Sequence, residues 1–324
     1  MTAPASRTYD APAWLVWTAL WTVYVVWGST YLAIRVMVET LPPLLATGLR
    51  FVVAGLVLLL VLTVRRGRAA ISVTRRELTG AAVVGCALLL GGNGLVVLAE
   101  RDIPSSVAAL VVAAVPMWVI LLRSATGDKV GAPTLASVAV GFVGVALLVL
   151  PAGDRPEGMR PLGLAMVVVA SLSWACGSFV ATRMSMPKDA LVSTGYQMLL
   201  GGGALFAAGL VTGEAGHVDV ESFSTASLGA LLYLVVMGSL VGFTAYAWLL
   251  QNAPISKVST YAYVNPVIAI VLGWWILSER LTPVMFVGAA LIVASTAFVV
   301  RRESRRPAVE TAEPVPALAG ADSG

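Results

Sequence analysis

Residues 253–283 read APISKVSTYAYVNPVIAIVLGWWILSERLTP, an apolar run interrupted at Asn265-Pro266 and closed by Ser278-Glu279-Arg280. A looser copy stands 150 residues earlier in the chain. Pro104 matches Pro254, Ser106 matches Ser256, Pro116 matches Pro266 and Pro133 matches Pro283, while Gly92 keeps the same offset to Gly242. Five helix-punctuating or small residues at one constant spacing describe a duplicated unit.

Composition names the solvent. Of 324 residues, 58% are hydrophobic and only 12% charged, where a soluble domain carries about 25% charged residues. The apolar runs reach about 20 residues, the length a helix needs to cross a ~30 Å hydrocarbon core. Backbone in lipid must satisfy its own hydrogen bonds, and these runs are not the short alternating strands of a barrel. Spans can be drawn at roughly 13–34, 43–64, 78–99, 104–123, 133–150, 161–182, 190–211, 226–250, 256–277 and 283–300. The expected fold is an all-α polytopic membrane protein with ten transmembrane helices.

Five spans per unit is an odd number, so the second copy enters the membrane from the opposite side. The ten helices then form two inverted five-helix repeats. Charge supports this count. With the N-terminus inside, the outer loops hold only Arg35, Arg101, Arg155, Arg160 and Arg280, Arg50 lies within a span, and the rest of the 21 Lys and Arg fall inside. That bias places both termini in the cytoplasm. The first apolar run, from Ala13 to about Ile34, is too long for a signal-peptide core, and no small-residue cleavage site follows it. It is expected to be a retained first span of a bacterial inner-membrane protein. The tract from Gly153 to Pro161 reads as a linker, and the Ala-, Pro- and Glu-rich tail, 307–324, as disordered and cytoplasmic.

Several chemistries are absent. There is no G-x-x-x-x-G-K-[ST] loop for a nucleotide and no H-E-x-x-H, and His217 stands alone. Cys86 and Cys176 sit inside apolar spans without ligand spacing. The expectation is no enzyme, no cofactor and no metal. The net charge of +4 sits at membrane edges and does not point to nucleic acid.

The polar residues inside the spans are the candidates. Arg50 costs about 2.5–3.5 kcal/mol at mid-helix on insertion scales. It either binds an anionic group or serves structure, by snorkelling outward or pairing with Glu39; its counterpart in the second unit is Gln197. Asn93, within Gly91-Gly92-Asn93-Gly94, either contacts a solute or bonds between helices. Pro266 frees the carbonyl near Ala262, and with Pro116 it forms a pair of candidate hinges. Trp14, Trp17, Trp21 and Tyr24 form a stripe on the first helix, the first two reading as an interfacial belt. Trp27, Tyr31, Trp174, Tyr246, Tyr261 and Tyr263 lie deeper, where they either pack or line a cavity. Gly238-xxx-Gly242 and Gly201-Gly202-Gly203 suggest close helix approach. Glu100 and Glu279, at span ends, could carry protons, but the simpler reading is a solvated loop carboxylate.

Asn265-Pro266, then Glu279-Arg280-Leu281-Thr282-Pro283 and Gly288-Ala289-Ala290-Leu291-Ile292, resemble the EamA-type branch of the drug/metabolite transporter superfamily. Trp27-Gly28-Ser29-Thr30-Tyr31 is similar to that family's first-helix motif, and Trp174-Ala175-Cys176-Gly177-Ser178 to its counterpart in the sixth. The resemblance implies two EamA-like repeats, 14–150 and 161–300. It also implies a central cavity and efflux or exchange of small organic metabolites. Lys129 stands where the second unit has Glu279, so a role needing an acid in both repeats does not carry over. The first span has no carboxylate, so the drug-for-proton mechanism of the small multidrug exporters does not carry over either.

The reading is a secondary transporter working by alternating access on a small-molecule solute, such as an amino acid or related amphipathic compound. Its solute-binding set is Trp27, Tyr31, Arg50, Asn93, Trp174, Tyr246, Tyr263 and Asn265. Pro116 and Pro266 are its hinge or gating pair, membrane lipids are its surroundings, and a homo-oligomer is left open. A lipid-linked sugar carrier of the same superfamily and a non-transporting scaffold or sensor are the alternatives.

Overall fold

The computed structural model describes residues 11–149 and 159–304. Most of the expected linker and the expected tail, 307–324, lie outside them. Every regular element among the described residues is helical. In chain order the helices are α1 (Ala13–Met37), α2 (Pro43–Arg66), α3 (Arg75–Ala99), α4 (Ser105–Ala125), α5 (Ala132–Val149), α6 (Pro161–Ala181), α7 (Ala190–Val211), α8 (Thr225–Asn252), α9 (Tyr261–Leu277) and α10 (Pro283–Glu303). The eight from α2 to α8, with α10, are long and apolar enough to cross a membrane, and α9 is a shorter apolar helix.

Local chemistry sets the ends. Pro43, Pro161 and Pro283 open α2, α6 and α10, where a missing N–H costs little. Thr74 and Glu77 form a capping box at the start of α3. The Asp189 carboxylate accepts from the N–H groups of Leu191 and Val192 at the start of α7.

Four helices depart from regularity. Residues Cys86–Gly94 of α3 and Leu234–Val241 of α8 are wound as π-helix, a feature frequent at functional sites. α4 breaks at Ala113-Ala114, just before Pro116. The Ala113 carbonyl there accepts from Thr296 Oγ1 of α10 at 2.9 Å. The span expected to run unbroken over 256–277 is split. A short turn, Ile255–Val258, precedes α9, and the Lys257 carbonyl accepts both the Thr260 N–H, at 3.2 Å, and the Thr260 hydroxyl, at 2.5 Å.

Packing repeats itself. α2 lies along α7 and α5 along α10; α1 packs on α9 as α6 packs on α4, and on α8 as α6 packs on α3. The α2–α7 contact is close because glycine allows it: a Cβ on Gly55 would lie 2.8 Å from the Leu199 nitrogen.

The two ends of the bundle are bonded differently. At one end, Arg35 Nη1 donates to the Glu100 carbonyl, and Glu279 caps α4. Glu214 accepts from Leu44 and Leu45 N–H at 3.1 and 2.9 Å, Ser224 N–H donates to Thr40 at 3.1 Å, and Arg160 reaches Asp102 at 3.5 Å. These bonds link the α1–α2, α3–α4, α7–α8 and α9–α10 connections and the start of α6 into one network. At the other end, bonds among the described residues fall into separate groups. Arg66 meets Asp189 at 2.8 Å and Tyr196 donates to the Ile71 carbonyl. Arg123 pairs with Asp128 and with Glu303. Tyr24 meets Thr260.

Candidate functional site

One turn of α1, from Trp27 to Tyr31, is where α2, α8 and α9 converge. The Trp27 indole N–H donates to the Gly238 carbonyl, in the π-helical part of α8, at 3.2 Å. Its ring lies 5.1 Å from Phe243, 5.1 Å from Tyr246 and 5.3 Å from Tyr261, and Tyr246 and Tyr261 meet edge-on at 5.5 Å. A Cβ at Gly242 would collide with the Trp27 indole. Gly28 sits against α9, where a Cβ would come 2.8 Å from Ile268 and 3.2 Å from the Asn265 carbonyl.

Arg50 enters this convergence from α2. It is 4% exposed, so it does not snorkel, and its partner is Ser239 instead of Glu39. Nε donates to Ser239 Oγ at 3.0 Å, the guanidinium carbon lies 4.5 Å over the Phe51 ring, and a Cβ on Gly238 would touch Nη2 at 3.0 Å. Nη1 has no protein partner, nor has Thr47 Oγ1 one turn earlier. On α9, Asn265 is 8% exposed and its Oδ1 is also unpartnered. Pro266 is buried beside it and Pro116 half-buried, so both fall within the bundle.

The other expected site residues divide. Tyr31 is half-buried on α1, near Glu100 and Tyr261. Trp174 is the α6 counterpart of Trp27: a Cβ on Gly92 would lie 3.2 Å from its ring, which mirrors Trp27 on Gly242. Asn93 is buried, but its amide turns back to the Leu88 carbonyl of its own helix at 3.4 Å. Tyr263 stands apart from the Trp27 cluster, near Tyr24 and Arg301. The ring that α9 supplies to the cluster is Tyr261. Gln197, the counterpart of Arg50, bonds Ser193 on its own helix at 2.9 Å. Sequence reasoning missed Ser239, Thr47, Phe51 and Phe243. Ser239 alone had a signal, as a hydroxyl within Gly238-xxx-Gly242.

The two carboxylates expected to be solvated differ: Glu279 is half-buried and Glu100 is enclosed. Ser278, in the left-handed conformation (φ 53°), turns the chain at the end of α9 so that Glu279 N–H reaches the Gly273 carbonyl. The Glu279 side chain then accepts from Ser105 N–H and Oγ at 2.8 and 2.7 Å, and from Ser106 N–H and Oγ at 3.1 and 2.5 Å. This satisfies orphan donors at the start of α4 and suits its dipole. Glu100 is fully buried, 0% exposed, and neither carboxylate oxygen has a partner. Burial, then the Glu279 charge, pushes its carboxyl well above the ordinary carboxylate range against the pull of Arg35.

A hollow of about 540 Å³ lined by Ala294, Ala297, Phe298, Arg301 and Arg302 lies on α10, away from the Trp27 convergence. Among the described residues, no group of His, Cys, Asp and Glu is arranged to hold a metal ion.

Comparison with known proteins gives the arrangement its context. The model of the EamA-like transporter family matches twice, over residues 14–150 and 161–301. An uncharacterized inner membrane transporter of Escherichia coli K12, YedA, is 34% identical over 301 residues, covering 92% of this chain and 94% of that protein. A probable amino-acid metabolite efflux pump of the same organism is 26% identical, covering 84% of this chain and 90% of its own length. A crystal structure 19% identical, with a TM-score of 0.59, covers 92% of this chain and shares its fold. Both matched segments and the full-length relatives agree, and the chain belongs to the EamA-like transporter family.

Proposed function

We propose that this protein is a secondary transporter of the inner membrane that exports or exchanges amino-acid-like metabolites by alternating access. The unpartnered guanidinium Nη1 of Arg50, buried beside an aromatic wall, carries this reading. A buried charge with an open donor is costly unless something completes it, and a solute carboxylate is the natural complement of a guanidinium fork. Asn265 Oδ1 offers an acceptor for an ammonium group, and Trp27, Tyr246 and Tyr261 offer a wall for an apolar side chain. The name of the metabolite efflux relative agrees with this substrate class.

Ten spans as two inverted repeats, 14–150 and 161–300, form the framework of the reading, with both termini cytoplasmic. The double family match, the mirrored helix pairings and the paired indole-on-glycine contacts support the duplication. The lysine and arginine bias supports the orientation. In that orientation the end tied together by Glu279 and Glu214 is external, and this conformation is closed outward. Pro116 and Pro266 mark where α4 and α9 bend between states.

The test is a binding screen of the purified chain. Neutral amino acids with large side chains should raise its melting temperature, whereas the same compounds with the carboxylate converted to an amide should not. Equal stabilisation by both sets would remove Arg50 from the reading.

A further inference from the structure

Glu100 has no part in the solute site described above, yet it is the most unusual group in the molecule. It follows the last turn of α3 with its side chain fully enclosed and both carboxylate oxygens unpartnered. Arg35, the cation next to it, spends Nη1 on the Glu100 backbone carbonyl and leaves the carboxylate unmatched. The groups that face it are Arg35 and Tyr31 of α1 and Glu279 after α9. Asp102, two residues on, is occupied with Arg160 at the start of α6, and Arg50, the charge that α2 carries into the bundle, with Ser239. An ionised carboxylate so placed would lack solvation, hydrogen bonds and a matched cation, and would be repelled by Glu279.

A metal ion is a poor alternative occupant. It would need several oxygen ligands, and both oxygens of the neighbouring Glu279 are already committed to four donors on Ser105 and Ser106. A proton needs only the one carboxylate.

We propose that Glu100 is a proton-binding site, protonated while the Glu100/Glu279 end of the bundle is closed and releasing its proton to water when that end opens. The proposal rests on the alternating-access reading. Opening hydrates the carboxylate and frees Arg35 to pair with it, so the ionised form favours the open state and the protonated form the closed one. Coupling to the solute runs through α1. The same helix presents Trp27, Gly28 and Thr30 to the solute site and Tyr31 and Arg35 to Glu100. A proton taken from the water at that end thus favours the closed form and leaves to the same side on opening, so the site gates the protein by pH without carrying a proton across the membrane.

The experiment uses the full chain in proteoliposomes and compares wild type with Glu100→Gln, which keeps the shape, and Glu100→Asp, which keeps the acid. Infrared spectra at neutral pH should show a protonated-carboxyl stretch that Glu100→Gln removes and Glu100→Asp retains. Absence of the band in wild type, or its persistence in Glu100→Gln, overturns the proposal. Labelled L-phenylalanine is the flux probe. With pH equal on both sides, wild-type exchange should rise as the medium is made more alkaline, by up to about tenfold per pH unit, because opening releases one proton. Glu100→Gln should keep phenylalanine exchange across the membrane and lose this pH dependence. A Glu100→Gln rate that follows pH as wild type's does, or a wild-type rate that pH leaves unchanged, also overturns it. If wild type exchanges no phenylalanine while the infrared band behaves as expected, the proton site stands and the transport reading falls for that solute.

Discussion

The crossing of α1 with α8 and the crossing of α6 with α3 are built alike. In each, a tryptophan lies on a glycine in or beside a π-helical stretch: Trp27 on Gly242, Trp174 on Gly92. Their surroundings differ. The first crossing has a buried cation with an open donor, an unpartnered amide oxygen and three further aromatic rings. At the second, the Ser173 hydroxyl is satisfied by the Ala87 carbonyl, and Asn93 by that of Leu88. Packing was retained in both copies, whereas unsatisfied chemistry is concentrated at one. Polar atoms left open in a low-dielectric interior cost free energy, so of the two crossings the first is where a ligand is expected; the open oxygens of Glu100 lie apart from both.

The most direct way to break this comparison is to exchange the two counterpart polar residues for methionine. Arg50→Met should lower affinity for a carboxylate-bearing solute by about 2–5 kcal/mol, the usual cost of truncating a buried charge pair. Gln197→Met loses only a bond within its own helix and should change affinity by under about 1 kcal/mol. Calorimetric titration of the two variants checks this, and equal losses would mean that the halves share the solute evenly.

The glycines sharpen it next. Gly242→Ala should destabilise the protein by about 1–3 kcal/mol, because the new methyl collides with Nε1 and Cδ1 of an indole that is itself held by a hydrogen bond to Gly238. Gly92→Ala comes no nearer than 3.2 Å to Trp174, at Cε3, and should cost less. Thermal unfolding in one detergent compares them. The reverse order would show that the second crossing is the more rigid.

Glu100 has Leu250 at its position in the second copy, an exposed residue, so the buried acid has no acidic counterpart. Its folded-state pKa is raised, so the sign of the pH effect follows. The Glu100 contribution to stability is greatest below the ordinary carboxylate range, where folded and unfolded forms both hold the proton. It falls as pH rises toward the raised folded-state value, by at most about 1.4 kcal/mol per pH unit. Melting temperatures across pH should show this decline in wild type and its loss in Glu100→Gln.

Much of the fold was legible because prolines and glycines act on their own backbone. The constant offset of 150 residues could be read without knowing any neighbour. Rotation about each helix axis could not. Lipid and protein interior are both apolar, so hydropathy gives no face, and residues two apart point about 200° away from each other. That is why Tyr263 stood in for Tyr261. The burial of Glu100 was invisible for a related reason: a carboxylate in a short connection is enclosed only by elements remote in sequence. Pro116 marked a candidate hinge within one span, but Thr296, 183 positions away, gave no local sign that it would bond the Ala113 carbonyl at a break there.

The smallest expected effect lies in one glycine triplet. Gly201 and Gly202 of α7 press against the backbone of Gly85 on α3 and of Phe51 and Val52 on α2, so the helices approach there at glycine distance. At Gly203, the next residue, an added methyl would have nothing within 4 Å of it. Replacing this glycine with alanine removes the conformational freedom that glycine loses on folding and adds no clash. Gly203→Ala should therefore stabilise the protein by up to about 1 kcal/mol. Gly202→Ala should destabilise it, since a Cβ there would lie 2.7 Å from the Phe51 side chain and 3.0 Å from the Val52 nitrogen. Opposite signs at adjacent positions, read as melting temperatures, would fix the rotation of α7 against α2. Because that pair joins each copy's second helix to the other's, the same measurement tests whether the two halves meet as the mirrored pairings require.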